Sequence, residues 1–339
     1  MSRLTGTQGR VTFAYPAVVD IGNFNKPIAP GARLLLKGLE VGQDDEELRI
    51  LRLTSHAPDV LAVVSVGPTS AVLQGVSVGG ARLEMQARDR YGREFTDFVD
   101  MTVDRPDHAM FEHDCTDGEF AAYPANSEIE IPFGLSKKNG QPVIGYGFYP
   151  VRVTPKAALA LDRTSDDQGA LRFRSTGPRH RVALRSTIDD GILGLALVEP
   201  GDVDDFASSL GATIVGDETF AFFQPRVAGV PLCQSELLIR AKSRTPAICS
   251  ATARLGEDGE DENRFSIVRV MGHAFGVCEF EVTYPEANHG AGVSRVLRLP
   301  VGKFPAMDDE HDTDVPWWLA PLCALLVPIV FAPLVLRRR

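Results

Sequence analysis

Gly75-Val76-Ser77-Val78-Gly79-Gly80-Ala81-Arg82-Leu83-Glu84-Met85 is the stretch on which the fold turns. From Ala81 onward, apolar and polar side chains alternate with period two, the mark of a strand with one buried face. The glycines before it supply a tight turn that bulkier residues resist. The pattern recurs as Gly272-His273-Ala274-Phe275-Gly276-Val277-Cys278-Glu279-Phe280-Glu281-Val282. Upstream of each copy stands a matching element, Ser55-His56-Ala57-Pro58-Asp59-Val60-Leu61 and Ser243-Arg244-Thr245-Pro246-Ala247-Ile248-Cys249. Both place a proline two residues before a β-branched residue, then Gly-x-x-x-Gly, then an alternating strand. Such self-similarity points to one supersecondary unit used more than once.

Working outward, period-two alternation recurs along the chain. Phe13 with Tyr15, Leu34 with Leu36, Leu51 with Leu53, residues 97–103, 128–133, 143–153, 170–174, 181–186, 191–198, Leu237 with Ile239, and Val296 with Leu299 all read as strands. Asn139-Gly140, Asp190-Gly191 and Asp258-Gly259 punctuate them as hairpin turns do. Residues 204–210 read as a single helical turn connecting two units, and no stretch before residue 317 keeps a helical period over three turns. The 23 prolines and 31 glycines agree with many turns and few long helices. The expected fold is all-β: tandem sandwiches over residues 1–106, 107–203 and 204–303, the middle one the least marked. An acidic linker follows at 304–316. The extra length of the third unit falls in the acidic loop 256–263.

The repeated block resembles the bacterial immunoglobulin-like domain of group 2, whose core is a Ser-x-x-Pro-x-Val strand, a Gly-Val-x-x-Gly turn and an alternating strand. Residues 51–103 and 238–301 carry the likeness. The first block lacks the Trp usual before the Ser-x-x-Pro element, and the second differs in its two cysteines. The resemblance implies immunoglobulin-like β-sandwiches serving as spacer, adhesin module or scaffold, with no catalytic residue carried over. The whole layout is also similar to surface or periplasmic proteins of proteobacteria. It shares with the large nuclear-pore membrane glycoprotein a set of such domains before one C-terminal span. No Asn-x-Ser/Thr acceptor is present, which disfavours a eukaryotic glycoprotein.

Residues 317–336 form an unbroken apolar run, opened by Trp317 and Trp318 and closed by Arg337, Arg338 and Arg339. About 20 apolar residues suffice for a helix to cross a bilayer, and tryptophan and arginine favour its two interfaces. The sequence thus predicts one C-terminal transmembrane helix with a cytoplasmic arginine tail at 337–339. Arginines beside a span stay on the cytoplasmic side, while Asp and Glu weigh little. The globular part is therefore expected outside the cytoplasm, in a periplasm or at a cell surface, a face that Asp308, Asp309, Glu310, Asp312 and Asp314 on the opposite flank suit. Residues 1–22 hold no apolar signal-peptide core. Two placements follow: an exported protein whose leader lies upstream of Met1, or a tail-anchored scaffold with its bulk in the cytosol. The exported placement is adopted. Pro321, Pro328 and Pro333 are compatible with a span whose freed carbonyls find other partners.

A net charge of −10, with no basic stripe, excludes a nucleic-acid binder. Gly75-Val76-Ser77-Val78-Gly79 matches G-x-S-x-G formally, but that motif exposes its serine where a strand turns into a helix. Here a strand follows, and the second copy has Ala274 at the position of Ser77, so a serine hydrolase is only the remote alternative. His108, Glu112, His113, Asp114 and Cys115 are the densest set of metal-ligand residue types; without a second half elsewhere they read as an exposed linker between units. The acidic loop lacks the ligand spacing of a calcium loop. No enzymatic activity, cofactor or metal is expected. Cys249 and Cys278 are the leading disulfide candidates, since Cys278 shares parity with Phe280 and Val282. Such a bridge contributes about 3 kcal/mol by chain entropy. Two separate buried thiols, at the places of Leu61 and Ala81, are the alternative, and Cys115 with Cys233 is a secondary pairing. The function expected is structural or adhesive, with the membrane and an envelope protein or polysaccharide as partners.

Overall fold

The computed structural model describes residues 2–15, 26–42, 46–165, 169–209, 213–234, 239–255 and 266–302. The expected span at 317–336, its flanks at 304–316 and 337–339, and the acidic loop at 256–263 lie outside these residues. Among the described residues no helix is long and apolar enough to cross a membrane.

The described chain is built of strands. The first unit holds β1 (Ser2–Thr5), β2 (Val11–Tyr15), β3 (Arg33–Glu40), β4 (Arg49–Ser55), β5 (Leu61–Val66), β6 (Ser70–Gly75), β7 (Gly79–Arg88) and β8 (Glu94–Val103). The second holds β9 (His108–Phe111), β10 (Phe120–Pro124), β11 (Glu128–Ser136), β12 (Pro142–Val143), β13 (Val151–Thr154), β14 (Leu159–Leu161), β15 (Ala170–Ser175), β16 (Arg179–Ser186) and β17 (Ile192–Val198). The third holds β18 (Asp205–Ser209), β19 (Thr213–Ile214), β20 (Glu218–Val227), β21 (Val230–Pro231), β22 (Arg240–Ser243), β23 (Cys249–Leu255), β24 (Ser266–Gly272), β25 (Gly276–Tyr284) and β26 (Val293–Gly302).

One topology is used three times. The first sheets run β2-β3-β6-β5, β9-β11-β15-β14 and β18-β20-β24-β23, and the second sheets run β4-β7-β8, β13-β16-β17 and β22-β25-β26. A short parallel partner joins the last strand of each second sheet: Ile28 beside Val103, β10 beside β17, and β19 beside β26. Two antiparallel sheets with inward-alternating side chains make the immunoglobulin-like sandwich. Along β7, for example, Ala81, Leu83, Met85 and Ala87 are buried while the residues between them are not.

The repeat read in the sequence holds in the hydrogen bonds. Val76 and Ser77 both donate to the Val60 carbonyl, as His273 and Ala274 do to Ile248. Val60 and Leu61 donate to Ala57, as Ile248 and Cys249 do to Thr245. Gly79 and Gly276 share φ values of +156° and +143°. A Cβ there would sit 3.1 Å from Val60 and 2.8 Å from Ile248, so glycine is required by both conformation and packing.

Two local expectations fail. Residues 205–209 form strand β18, not a helical turn, because Phe206 inserts fully into the core against Phe223 and Tyr284. A short 3-10 turn lies earlier, at Pro200–Asp202. Residues 143–153 are not one strand: β12 stops at Val143, and the chain crosses to the first unit before β13 begins.

Buried side chains gather in two cores. One is continuous through the first and second units, taking Ile28, Ala29 and Ala32 together with Val143, Ile144 and Tyr149. The other belongs to the third unit and reaches Ala122, Ala196 and Val198 of the second.

Candidate functional site

The densest set of chemistry-bearing residues, His113, Asp114, Cys115 and Cys233, lies at a joint between units. Each joint is made by an arm, the segment after the hairpin that follows the long strand β11 or β20. Both arms begin with proline and two apolar residues, Pro142-Val143-Ile144 and Pro231-Leu232-Cys233. Each pairs in parallel with the preceding unit, Ile144 with Ile28 and Leu232 with Ala122. The first unit has no such arm, since Leu48 passes directly into β4.

At the first joint, Ile144 donates its N–H to the Pro27 carbonyl (2.9 Å) and accepts from Ala29 (3.0 Å). Arg33 and Tyr146 exchange backbone bonds of 2.8 and 2.9 Å. Between them Gly145 adopts φ +116°, and a Cβ would lie 2.7 Å from that of Ala32. Only glycine lets the two backbones come this close.

The second joint adds polar and covalent contacts to the apolar one at Ala122, Ala196 and Val198. Cys115, between β9 and β10, is bonded to Cys233 of the third unit's arm across 118 residues, with Cα atoms 5.4 Å apart. The Cys233 N–H donates to the Ala122 carbonyl at 2.8 Å. Gln234 places its Nε2 2.7 Å from Asp114 Oδ2 and bonds the Glu130 carbonyl, while the Glu130 N–H donates to Gln234 Oε1 at 2.8 Å. Gln224 Nε2 donates to the Cys115 carbonyl at 3.0 Å. Behind these, the Tyr123 hydroxyl lies 3.1 Å from His113 Nδ1 and 3.4 Å from Asp114 Oδ1.

Burial sets the electrostatics of this cluster. It pushes the Asp114 carboxyl above the ordinary carboxylate range, outweighing the bonds from Gln234 and Tyr123. It also lowers His113 and raises the Tyr123 phenol, so His113 and Tyr123 stay neutral at pH 7. The expected exposed linker is therefore corrected. His113 is 8% exposed against Tyr123 of its own unit, and Cys115 is bonded to the arm of the third unit. His108 and Glu112 stay exposed, His108 3.3 Å from Asp189. Ligand atoms of Asp114, Cys115 and Cys233 lie within 4.8 Å of one another. With the sulfurs bonded to each other, no thiolate is left there to coordinate a metal.

Cys249 and Cys278 form a second disulfide, Cα atoms 5.5 Å apart, fully buried between the sheets of the third unit. The first unit holds Leu61 and Ala81 at the matching places. Ser77 sits in the turn between β6 and β7 and donates to the Asp59 carbonyl at 2.7 Å. The strand that follows denies it the strand-to-helix setting of a nucleophile elbow. Trp317, Trp318 and Arg337, Arg338 and Arg339 lie outside the described residues.

The sequence reading missed the joints. Their one visible signal was the Pro-apolar-apolar run after each hairpin, in the second and third units and not in the first.

No protein-family model matches the chain, and no curated protein matches it. Solved structures do. One is the Escherichia coli adhesin FdeC, at 12% identity and TM-score 0.25, over 83% of this chain and 95% of that one. Another is invasin, a bacterial integrin-binding protein, at 12% identity and TM-score 0.24, over 86% and 60%. A third is the surface layer protein SbsC, domains 4–9, at 11% identity and TM-score 0.25, over 87% and 48%.

Proposed function

We propose that this protein is a non-enzymatic element of a cell envelope or surface: three immunoglobulin-like modules, at 1–106, 107–203 and 204–303, held outside the cytoplasm and tethered by a span at 317–336. The role is structural or adhesive, with sheet faces and loops presented to an envelope protein or polysaccharide. The observation that carries the reading is the way the units are joined. Each joint combines parallel β-pairing with a closely packed arm, and one adds a disulfide. Units joined so stay in register, which suits a spacer. Two disulfides among the described residues also suit an oxidising compartment and not the cytosol.

The test is thiol trapping in the producing cell. Cells are quenched in acid and alkylated under denaturing conditions without reductant, and each cysteine is read by peptide mass spectrometry. Cys115, Cys233, Cys249 and Cys278 are expected to escape alkylation until reductant is added. Full alkylation of all four at the first step would place the globular part in a reducing compartment and overturn the exported reading.

A further inference from the structure

We infer that Cys115–Cys233 is a reducible lock on the second joint: opened by a dithiol, it frees the third unit from the first two without unfolding any unit. This rests on the geometry of the joint and not on the tether.

The two disulfides differ in placement. Cys249 and Cys278 are both 0% exposed, enclosed between two sheets, so a reductant reaches them only when the third unit opens. Cys115 is partly exposed at the seam, while Cys233 is 1% exposed behind it. A thiolate therefore has one sulfur within reach. It attacks Cys115 Sγ, the S–S bond breaks, and Cys233 leaves as a thiolate and takes a proton. The second thiol of the dithiol then attacks the mixed disulfide and releases Cys115 as a thiol. The dithiol ends as a disulfide, and two electrons have passed to the protein.

The joints differ in what holds them. Apolar side chains cross both, but the core through the first takes Ile28, Ala29, Ala32, Val143, Ile144 and Tyr149, whereas the third unit's core takes from the second only Val198 and the small Ala122 and Ala196. At the second the arm adds Leu232 to that narrow apolar contact and otherwise holds by polar bonds: Cys233 to Ala122, Gln234 to Asp114 and Glu130, and Gln224 to Cys115. An apolar contact this small, with hydrogen bonds that each add little on their own, leaves the disulfide to decide whether the seam stays shut. Among the described residues the strand pairing across the seam is the single bridge of Ala122 with Leu232, and each sandwich keeps both its sheets when the seam opens.

The test uses the full chain in detergent, free thiols blocked first, then titrated with dithiothreitol. At each step thiols are trapped with iodoacetamide and amide hydrogen exchange is measured by mass spectrometry. Cys115 and Cys233 are expected to become alkylated at a reductant concentration lower by about tenfold or more than Cys249 and Cys278. In that window, exchange should rise about tenfold in peptides holding Ala122 and residues 232–234, and stay unchanged in β25 and β26. A C115S/C233S variant should show the same raised exchange without reductant. Opening of both disulfides together would overturn the inference, as would selective opening with unchanged exchange across the seam, or with exchange rising through β25 and β26.

Discussion

Asp97 is a buried charge that the fold keeps ionised. It points inward from β8 with no exposure, and its carboxylate accepts the N–H groups of Gln8 (2.7 Å), Arg10 (2.7 Å), Val11 (2.9 Å) and Phe98 (2.8 Å). Burial alone would raise its pKa, but the four donors outweigh burial and hold it below the ordinary carboxylate range. The side chain thereby ties the β1–β2 turn to the opposite sheet. Asp97→Asn turns an NH2 toward backbone donors and should cost about 3 kcal/mol at pH 7, measured by urea unfolding. The sign of the pH dependence follows from a depressed folded pKa. The stabilisation is complete above the unfolded value of about 4 and is lost as pH falls through the folded one. Wild type should lose stability in that acid window while Asp97→Asn stays flatter. Gly276→Val should destabilise by at least about 2 kcal/mol, through φ +143° and the clash with Ile248. Gly80→Ala, with open space around it, should stay within about 0.5 kcal/mol of wild type.

Elements were the scale at which the sequence was most legible. The strands of both repeat blocks announce themselves by alternation, and Leu61 with Ala81 aligns to Cys249 with Cys278 because the same Ser-x-x-Pro element precedes the first of each pair and the same turn glycines precede the second. Where one face carried other work, alternation misled. Residues 205–209 offer only Phe206 as an inward apolar anchor, too little to separate a strand from a helical turn. The middle unit was faint because it lacks the Gly-x-x-x-Gly turn, although its strand order is the same. The alignment supplies its own test. C249S/C278S should cost on the order of 3 kcal/mol, the worth of closing a loop of this length. C249L/C278A, which installs the first unit's pair, should recover part of that loss by refilling the core. Equal stability of the two variants in denaturant melts would contradict the equivalence of the two sites.

At the scale of the whole molecule, the joints were almost illegible, since they depend on contacts between residues far apart in sequence and on one close approach at Gly145. The continuous core through the first two units implies that they melt together. Gly145→Val, which forces the arm away from Ala32, should split their transition in calorimetry while leaving the third unit's melting unchanged. Retention of a single shared transition would show that the arm does not couple them.

Placement outside the cytoplasm is the central claim, and protease accessibility in intact cells tests it most directly, with an epitope tag inserted before Pro316. The account predicts digestion of the globular part from outside the cell, or once the outer membrane alone is permeabilised. Protection that persists until the inner membrane is broken would contradict it, and would put the three sandwiches in the cytosol.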